Sequence, residues 1–303
     1  RPPRSTLFPY TTLFRSHSLW RAGSTYLFQV FRRSEAGYYC YQEPLHEIAL
    51  FNKDAPEKLL EYSGDLMQPL RHPVLSRPYY QELYDTNRFW KDKLVKSDIY
   101  DAYFSSECSE TLGSFLKALI EHAQGRTVIQ ECRTSNRIGV LKKTFGGTHL
   151  YLWRNPWDQW WSYKATDYFD MIQLLLVNAE DAPPVIKALR QKLHFKQYHG
   201  ETLQDEMQFF SVSRLSAENS YSCFYMLWCL AFLEAQQHAD FLLNIDQLSA
   251  SSDYKTEFLE IMGGTGISGL DFSDCRIHCT QFTQQDATFF KPLEDMVHEL
   301  LMQ

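Results

Sequence analysis

Two short segments of this chain combine residue types that hold anions. The first runs Ser18-Leu19-Trp20-Arg21-Ala22-Gly23-Ser24-Thr25-Tyr26-Leu27. The second runs Tyr151-Leu152-Trp153-Arg154-Asn155-Pro156-Trp157-Asp158-Gln159-Trp160-Trp161-Ser162-Tyr163. Each places an arginine and hydroxyl residues at a turn that leads from a strand-like stretch into a helical one. A helix starting at such a turn aims unpaired N–H groups and the positive end of its dipole at one spot, which suits phosphate. Two turns of this kind suggest a ligand with two separate phosphate groups. In the first, Gly23 lets the backbone approach the ligand. The amides of Ala22, Gly23, Ser24, Thr25 and Tyr26 can cradle it, and the Ser24 and Thr25 hydroxyls can donate to its oxygens. Arg21 adds charge. In the second, Arg154 offers bidentate, charge-assisted hydrogen bonds, and Ser162 follows eight residues later with a hydroxyl. Asp158 is expected to cap or orient this turn without touching phosphate. Trp157, Trp160 and Trp161 read either as core packing or as contacts to a base or acceptor.

Alternating strand and helix patterns surround both turns. Strand patterns end at His17–Trp20 and cover Tyr38–Tyr41, Thr127–Cys132, Thr148–Trp153 and Phe241–Ile245. Helical patterns cover Thr25–Arg32, Thr111–Ala123, Arg137–Phe145, a stretch from Asp158, Asp170–Tyr198 broken at Pro183-Pro184, Glu218–Ala239, Tyr254–Met262 and Pro292–Met302. Residues 57–103, rich in Tyr, Lys and Asp, read as a helical annex on the substrate side. Residues 263–280 read as an irregular tail. This alternation argues for an α/β fold with a mostly parallel sheet covered on both faces, and ligands at the carboxyl ends of its strands.

The first turn is too short for the usual nucleotide P-loop, G-x-x-x-x-G-K-S/T, which is absent. Here the chain resembles the sulfotransferases that use 3′-phosphoadenosine-5′-phosphosulfate (PAPS), closest in pattern to the carbohydrate-type and bacterial members. Their 5′-phosphosulfate loop looks like P-K/R-S-G-T/S-T/S after the first strand, and their 3′-phosphate site like R-N/D-P-x-D-x-x-x-S after a later one. The resemblance spans His17 to about Ile245. It implies a P-loop-NTPase-like three-layer α/β/α fold and transfer of a sulfuryl group from PAPS to a hydroxyl, on a carbohydrate or glycolipid acceptor, without a metal. Arg21 would neutralise charge on the leaving bridging oxygen. Tyr38-Tyr39-Cys40-Tyr41-Gln42-Glu43-Pro44 looks like the family's Y-x-x-E-P segment, whose glutamate is the proposed base. That makes Glu43 the first choice, with His46 and Glu47 as runners-up. The histidine of the K-T-H branch is missing from Val128-Ile129-Gln130-Glu131-Cys132-Arg133. Glu131 or Arg133 could face the site there. Arg133 and Arg137 could hold ligand or make structural salt bridges. No basic R-K-G-like loop occurs near the C-terminus, where Arg276 is the nearby candidate. The alternatives are a nucleotide-binding module of the same fold without transfer, and a kinase-like phosphotransferase, which would want a magnesium-binding pair and a P-loop lysine.

The opening string Arg1–Ser16 matches an in-frame translation of a sequencing-library adapter. It is set aside, leaving 17–303 as one domain with the annex. The formal net charge is −7 at pH 7, and more acidic still without Arg1, Arg4 and Arg15. Such a chain lacks the basic footprint of a general nucleic-acid binder. The 7 Cys are scattered, which favours reduced thiols, and no Asn-X-Ser/Thr sequon occurs. The longest apolar run, Tyr221–Leu233, falls short of the ~20 residues of a membrane span. The expected setting is therefore cytoplasmic. Gly264-Thr265-Gly266-Ile267-Ser268-Gly269 matches G-x-G-x-x-G by letters but follows a helix, so it reads as a loop. Cys275, His278 and Cys279 could supply half a metal site; a second ligand pair is missing.

Overall fold

The computed structural model describes residues 13–62 and 76–303. Five strands form one all-parallel sheet: β1 (Phe14–Ser18), β2 (Tyr38–Gln42), β3 (Arg126–Glu131), β4 (Thr148–Trp153) and β5 (Phe241–Asn244), in the order β2-β3-β1-β4-β5. Thirteen α-helices lie among the described residues. They are α1 (Ser24–Arg32), α2 (Glu47–Phe51), α3 (Gln81–Trp90), α4 (Glu110–His122), α5 (Ile138–Phe145), α6 (Pro156–Tyr163), α7 (Tyr168–Val177), α8 (Pro184–Lys192), α9 (Leu203–Ser211), α10 (Ala217–His238), α11 (Ile245–Ala250), α12 (Ser252–Gly264) and α13 (Gln284–Leu301).

Successive strand residues point to opposite faces, and the core divides accordingly. Phe14, Cys40, Val128, Leu150, Leu152 and Leu243 pack with α1, α11 and α12. Tyr41, Ile129 and Tyr151 pack with α4, α5, α7 and α10 on the other side. Helices therefore cover both faces of the sheet.

The strand expected to end at His17–Trp20 ends there, at Ser18; it begins at Phe14 and pairs with β3 and β4 from that residue on. Phe14, Arg15 and Ser16, which belong to the adapter-like string, are paired on both sides and buried in this central strand. Residues 1–12 of the adapter-like string lie outside the described residues. The last helix differs from expectation: it starts at Gln284 and carries Pro292 inside it, because Thr283 and Asp286 form a reciprocal capping box upstream. Of the annex, α3 and short 3₁₀ turns at Pro56–Glu61 and Lys96–Asp98 are described, and 63–75 lie outside.

A buried polar chain crosses the sheet. His17 Nδ1 lies 2.7 Å from Thr134 Oγ1, and His17 Nε2 lies 3.0 Å from His149 Nδ1. His149 Nε2 lies 3.1 Å from the Gly146 carbonyl. One tautomer set satisfies all three contacts: Thr134 and each Nε2–H donate, and both Nδ1 atoms accept. Both rings are therefore neutral. Burial lowers both pKa values, with the Arg15 charge adding to the effect, and His149 falls to about 3. In the unfolded chain His149 takes a proton below about pH 6.5. Stability from this group is thus complete above that pH and is lost as pH falls toward 3. The stability gap between wild type and His149→Gln should shrink by about 1.4 kcal/mol per pH unit in that window. Urea denaturation at pH 7 and pH 5 checks this; a gap independent of pH contradicts it.

Candidate active site

All five strands run the same way, so the loops that leave their carboxyl ends collect along one edge of the sheet. There they line a cleft of ≈ 540 Å³, with Arg21, Gly23, Ser24, Thr25 and Tyr26 after β1, Glu43 and His46 after β2, and Arg154, Asp158, Trp161 and Ser162 after β4. Tyr79 and Tyr80 from the annex, Tyr168 and Phe169 of α7, and Arg276, Ile277, His278 and Thr280 of the tail complete it. The residues expected from sequence at both turns thus meet in one cavity, with one exception. Ala22 is wholly buried among apolar residues under α1 and does not reach the cleft, so the cradle narrows to residues 23–26.

The first turn is built by positive backbone angles. Arg21 has φ +64° and Gly23 φ +93°. Gly23 is the N-cap of α1, and no side chain caps that helix, so its first N–H groups remain for a ligand or water. A Cβ on Gly23 would also meet Ile245 Cγ1 at 3.0 Å. Gly23→Ala should therefore cost about 1–3 kcal/mol in urea denaturation. Gly37 shares the positive φ, but a Cβ there meets nothing within 4 Å. Gly37→Ala should cost less, and equal costs would contradict the Ile245 contact.

The two turns touch. Arg21 Nε donates to Ser162 Oγ at 2.8 Å. The Thr25 hydroxyl lies 3.1 Å from Tyr79 Oη, and Cys132 Sγ donates to Ser24 Oγ at 3.8 Å. Arg154 Nε donates to Asp246 at 3.2 Å, and its Nη2 donates to the His278 carbonyl. The second turn is capped by Asn155, whose side chain accepts the Asp158 N–H; Asp158 is not the cap. Asp158 instead accepts from Asn155 Nδ2 and Thr280, tying the tail to the turn. Trp160 is core, donating to Ser220, while Trp161 stands 50% exposed at the cleft. Trp157 is half-buried and donates to Glu294.

Glu43 follows β2 with φ +39°, and its N–H donates to the Gln130 carbonyl at 2.8 Å. One carboxylate oxygen accepts from Arg133 Nη1 at 2.8 Å. The other accepts from Gln42 Nε2 at 3.3 Å and Tyr79 Oη at 3.4 Å. Arg133 is fully buried and also donates to Glu47 at 2.7 Å. Burial alone would raise the Glu47 pKa. His46, Arg133 and the Tyr168 hydroxyl outweigh it and bring the pKa to about 2. Glu47 is turned inward onto Tyr100, Tyr168 and Arg133 and does not line the cleft. His46 does line it; its Nδ1 accepts the Ile48 N–H and its Nε2 lies 3.4 Å from Tyr168 Oη. Burial lowers its pKa.

Glu131 does not face the cleft. Its carboxylate accepts the Leu45 and Arg133 N–H groups, and burial raises its pKa to about 7. Arg133 makes the salt bridges just described. Arg137 is also fully buried and donates to the Asp98 and Arg133 carbonyls, so neither arginine is open to a ligand. Cys275 belongs to the core and joins no ligand cluster with His278 and Cys279. Among the described residues two groups could hold a metal ion by spacing: Asp101, His199 and Glu206, and Asp158, Asp246 and Cys279. Lys96 already engages the first, and Arg154 the second. Tyr79, Tyr80, Tyr168, Phe169 and Asp246 were missed from sequence. The signal available was the Tyr-rich annex for Tyr79 and Tyr80, and for Asp246 an acid two residues after β5.

No protein-family model, no curated protein and no solved structure matches the chain.

Proposed function

We propose that this protein transfers a sulfuryl group from PAPS to a hydroxyl of a carbohydrate or glycolipid. The observation that carries the reading is the 2.8 Å contact between Arg21 and Ser162. It sets two anion-binding turns side by side in one cleft that also holds a carboxylate, Glu43. The donor set fits a nucleotide with two phosphate groups. The uncapped start of α1 and the Thr25 hydroxyl suit one phosphate end, and Arg154 with Ser162 suits the other. A volume of ≈ 540 Å³ lies within the range of small-molecule sites.

PAPS supplies an activated sulfuryl group whose S–O bond to phosphate breaks as the acceptor oxygen bonds to sulfur. The chain supplies charge and a proton acceptor. Arg21 is always protonated, so it balances charge on the departing oxygen without giving up a proton. Glu43 takes the acceptor's hydroxyl proton. Arg133 holds the second Glu43 oxygen, which fixes the direction from which the first can accept. The tail, through His278 and Thr280, holds Arg154 and Asp158 in place. Among the described residues no helix is long and apolar enough to cross a membrane.

A second reading, a nucleotide-binding module without transfer, draws on the tight pairing of Glu43 with Arg133. Incubation with radiolabelled donor and a panel of glycan and phenol acceptors separates the two. A labelled carbohydrate is expected. Product on phenols alone overturns the acceptor class, and donor binding without product favours the binding module.

A further inference from the structure

We propose that Tyr79 couples the donor cradle to the base, so that occupation of the cradle withdraws a hydrogen bond from Glu43 and makes it a stronger proton acceptor. This rests on the sulfotransferase reading of the same cleft.

Tyr79 is 2% exposed and lies between the two functional groups. Its oxygen is 3.1 Å from Thr25 Oγ1 and 3.4 Å from Glu43 Oε1. It also accepts from Gln42 Nε2 at 2.7 Å. The orientation of Gln42 is fixed, because the same Nε2 faces the Gln130 side-chain oxygen and Glu43 Oε1. The Tyr79 oxygen therefore receives one proton from Gln42 and has one of its own to give. Burial, with the Glu43 carboxylate nearby, holds its pKa well above 10, so it acts as a donor and not as a base.

Thr25 Oγ1 and Glu43 Oε1 both lie within reach of that proton. Without a ligand, the Thr25 hydroxyl can donate to Tyr79, and Tyr79 then donates to Glu43. When a phosphate oxygen takes the Thr25 proton, the Thr25 oxygen becomes an acceptor. Tyr79 then turns to it, over 3.1 Å against the 3.4 Å to Glu43. Glu43 Oε1 loses a donor that stabilised its charged form, which favours protonation. The base thus gains strength when the donor is in place. No bond is made or broken in this step; two hydrogen bonds are redirected.

Other charged and titratable groups surround Glu43. Arg133 pairs with it, and His46, Glu131, Tyr80 and Cys132 lie within electrostatic reach from α2, β3, the annex and the strand end. A change at Glu43 must therefore be separated from a change at His46 or Glu131, and variants do this.

The experiment is calorimetric titration with 3′-phosphoadenosine-5′-phosphate (PAP) between about pH 4 and 7, in buffers of differing ionisation enthalpy. Wild type should take up protons on binding beyond those that the nucleotide itself exchanges. Its affinity should tighten as pH falls, because the loaded protein then holds more protons than the free one. Tyr79→Phe keeps the ring and loses the hydroxyl; it should bind PAP without the extra uptake, as should Glu43→Gln. In transfer assays Tyr79→Phe should move the acid limb of the kcat/KM profile, which reports the free enzyme, and leave that of kcat, which reports the loaded enzyme, where it stands in wild type. Extra uptake that persists in Tyr79→Phe overturns the coupling and leaves the functional reading intact. Absence of PAP binding in wild type overturns that reading itself. Should Tyr79→Phe yield no folded protein, Thr25→Val breaks the same path at its other end, and uptake that persists there overturns the coupling equally.

Discussion

Glu43→Gln is expected to lower transfer by about 10²- to 10⁴-fold, the usual contribution of a positioned general base. PAP binding should be retained at or above the wild-type level, because Glu43 is not one of the groups assigned to either phosphate and the neutral side chain has no charge for PAP binding to destabilise. The variant should also fold. Arg133 carries one positive charge against the two carboxylates of Glu43 and Glu47. Glutamine at 43 leaves the Arg133–Glu47 pair balanced, and its side-chain oxygen can still accept from Arg133. Lost turnover in this variant therefore reports lost chemistry and not lost structure. Steady-state rates with titrated PAP affinity check the split. Retained turnover would move the base to another group, and His46 is the one at hand, since it lines the same cleft.

Arg133→Met is expected to do the opposite: it damages the fold as much as the site. The guanidinium is fully buried beneath Trp20 and Tyr100 and holds Glu43 and Glu47 at 2.8 and 2.7 Å. Removing it leaves two buried carboxylates without their counter-charge, at a cost of about 3–5 kcal/mol. The sign of the pH dependence follows. In wild type Glu47 is held at about 2, below its unfolded value, so its contribution is present above about pH 4.5 and lost as pH falls toward 2. In the variant, burial without Arg133 favours the neutral carboxyl, so stability is lost as pH rises. The penalty should be largest near neutrality and smaller at pH 4. Urea denaturation of both proteins at the two values tests this. An equal penalty at both, or none, would falsify the assigned role of Arg133.

Much of the fold was legible because its signals are local. The two turns carry Gly23, Pro156 and Asn155 at positions where backbone angle and capping demand them. Strand β4 carries the apolar stretch Leu150–Trp153 and β3 the β-branched run Thr127-Val128-Ile129, each bounded by turn residues. The parts that were not legible depend on distant partners. Nothing near Ala22 in sequence says that it joins the same core cluster as Val128, Leu243 and Ile245. Glu131 sits in the right strand to face a ligand, yet the N–H groups of Leu45 and Arg133 claim its carboxylate. Arg133 reads as an open cation until Glu43 and Glu47 arrive from the loop after β2. Asp158 looks like a cap because Asp often is one, but Asn155 stands three residues earlier and takes that place. Tyr79 could not be singled out at all. One tyrosine in a Tyr-rich annex carries no periodic or motif signal, and its contacts to Thr25 and Glu43 cross 54 and 36 residues of chain.

The most direct measurement is isothermal titration of the wild-type protein with PAP and with adenosine monophosphate under the same conditions. The two ligands share the adenosine and the 5′-phosphate and differ in the 3′-phosphate, which is assigned to Arg154 and Ser162. Charge-assisted hydrogen bonds to a phosphate contribute about 1.5–3 kcal/mol each, so PAP should bind at least about tenfold more tightly. Ser162→Ala should narrow that difference. Equal affinity for the two nucleotides, or no binding of PAP, would contradict a cleft built for two phosphate groups and with it the sulfuryl-transfer reading.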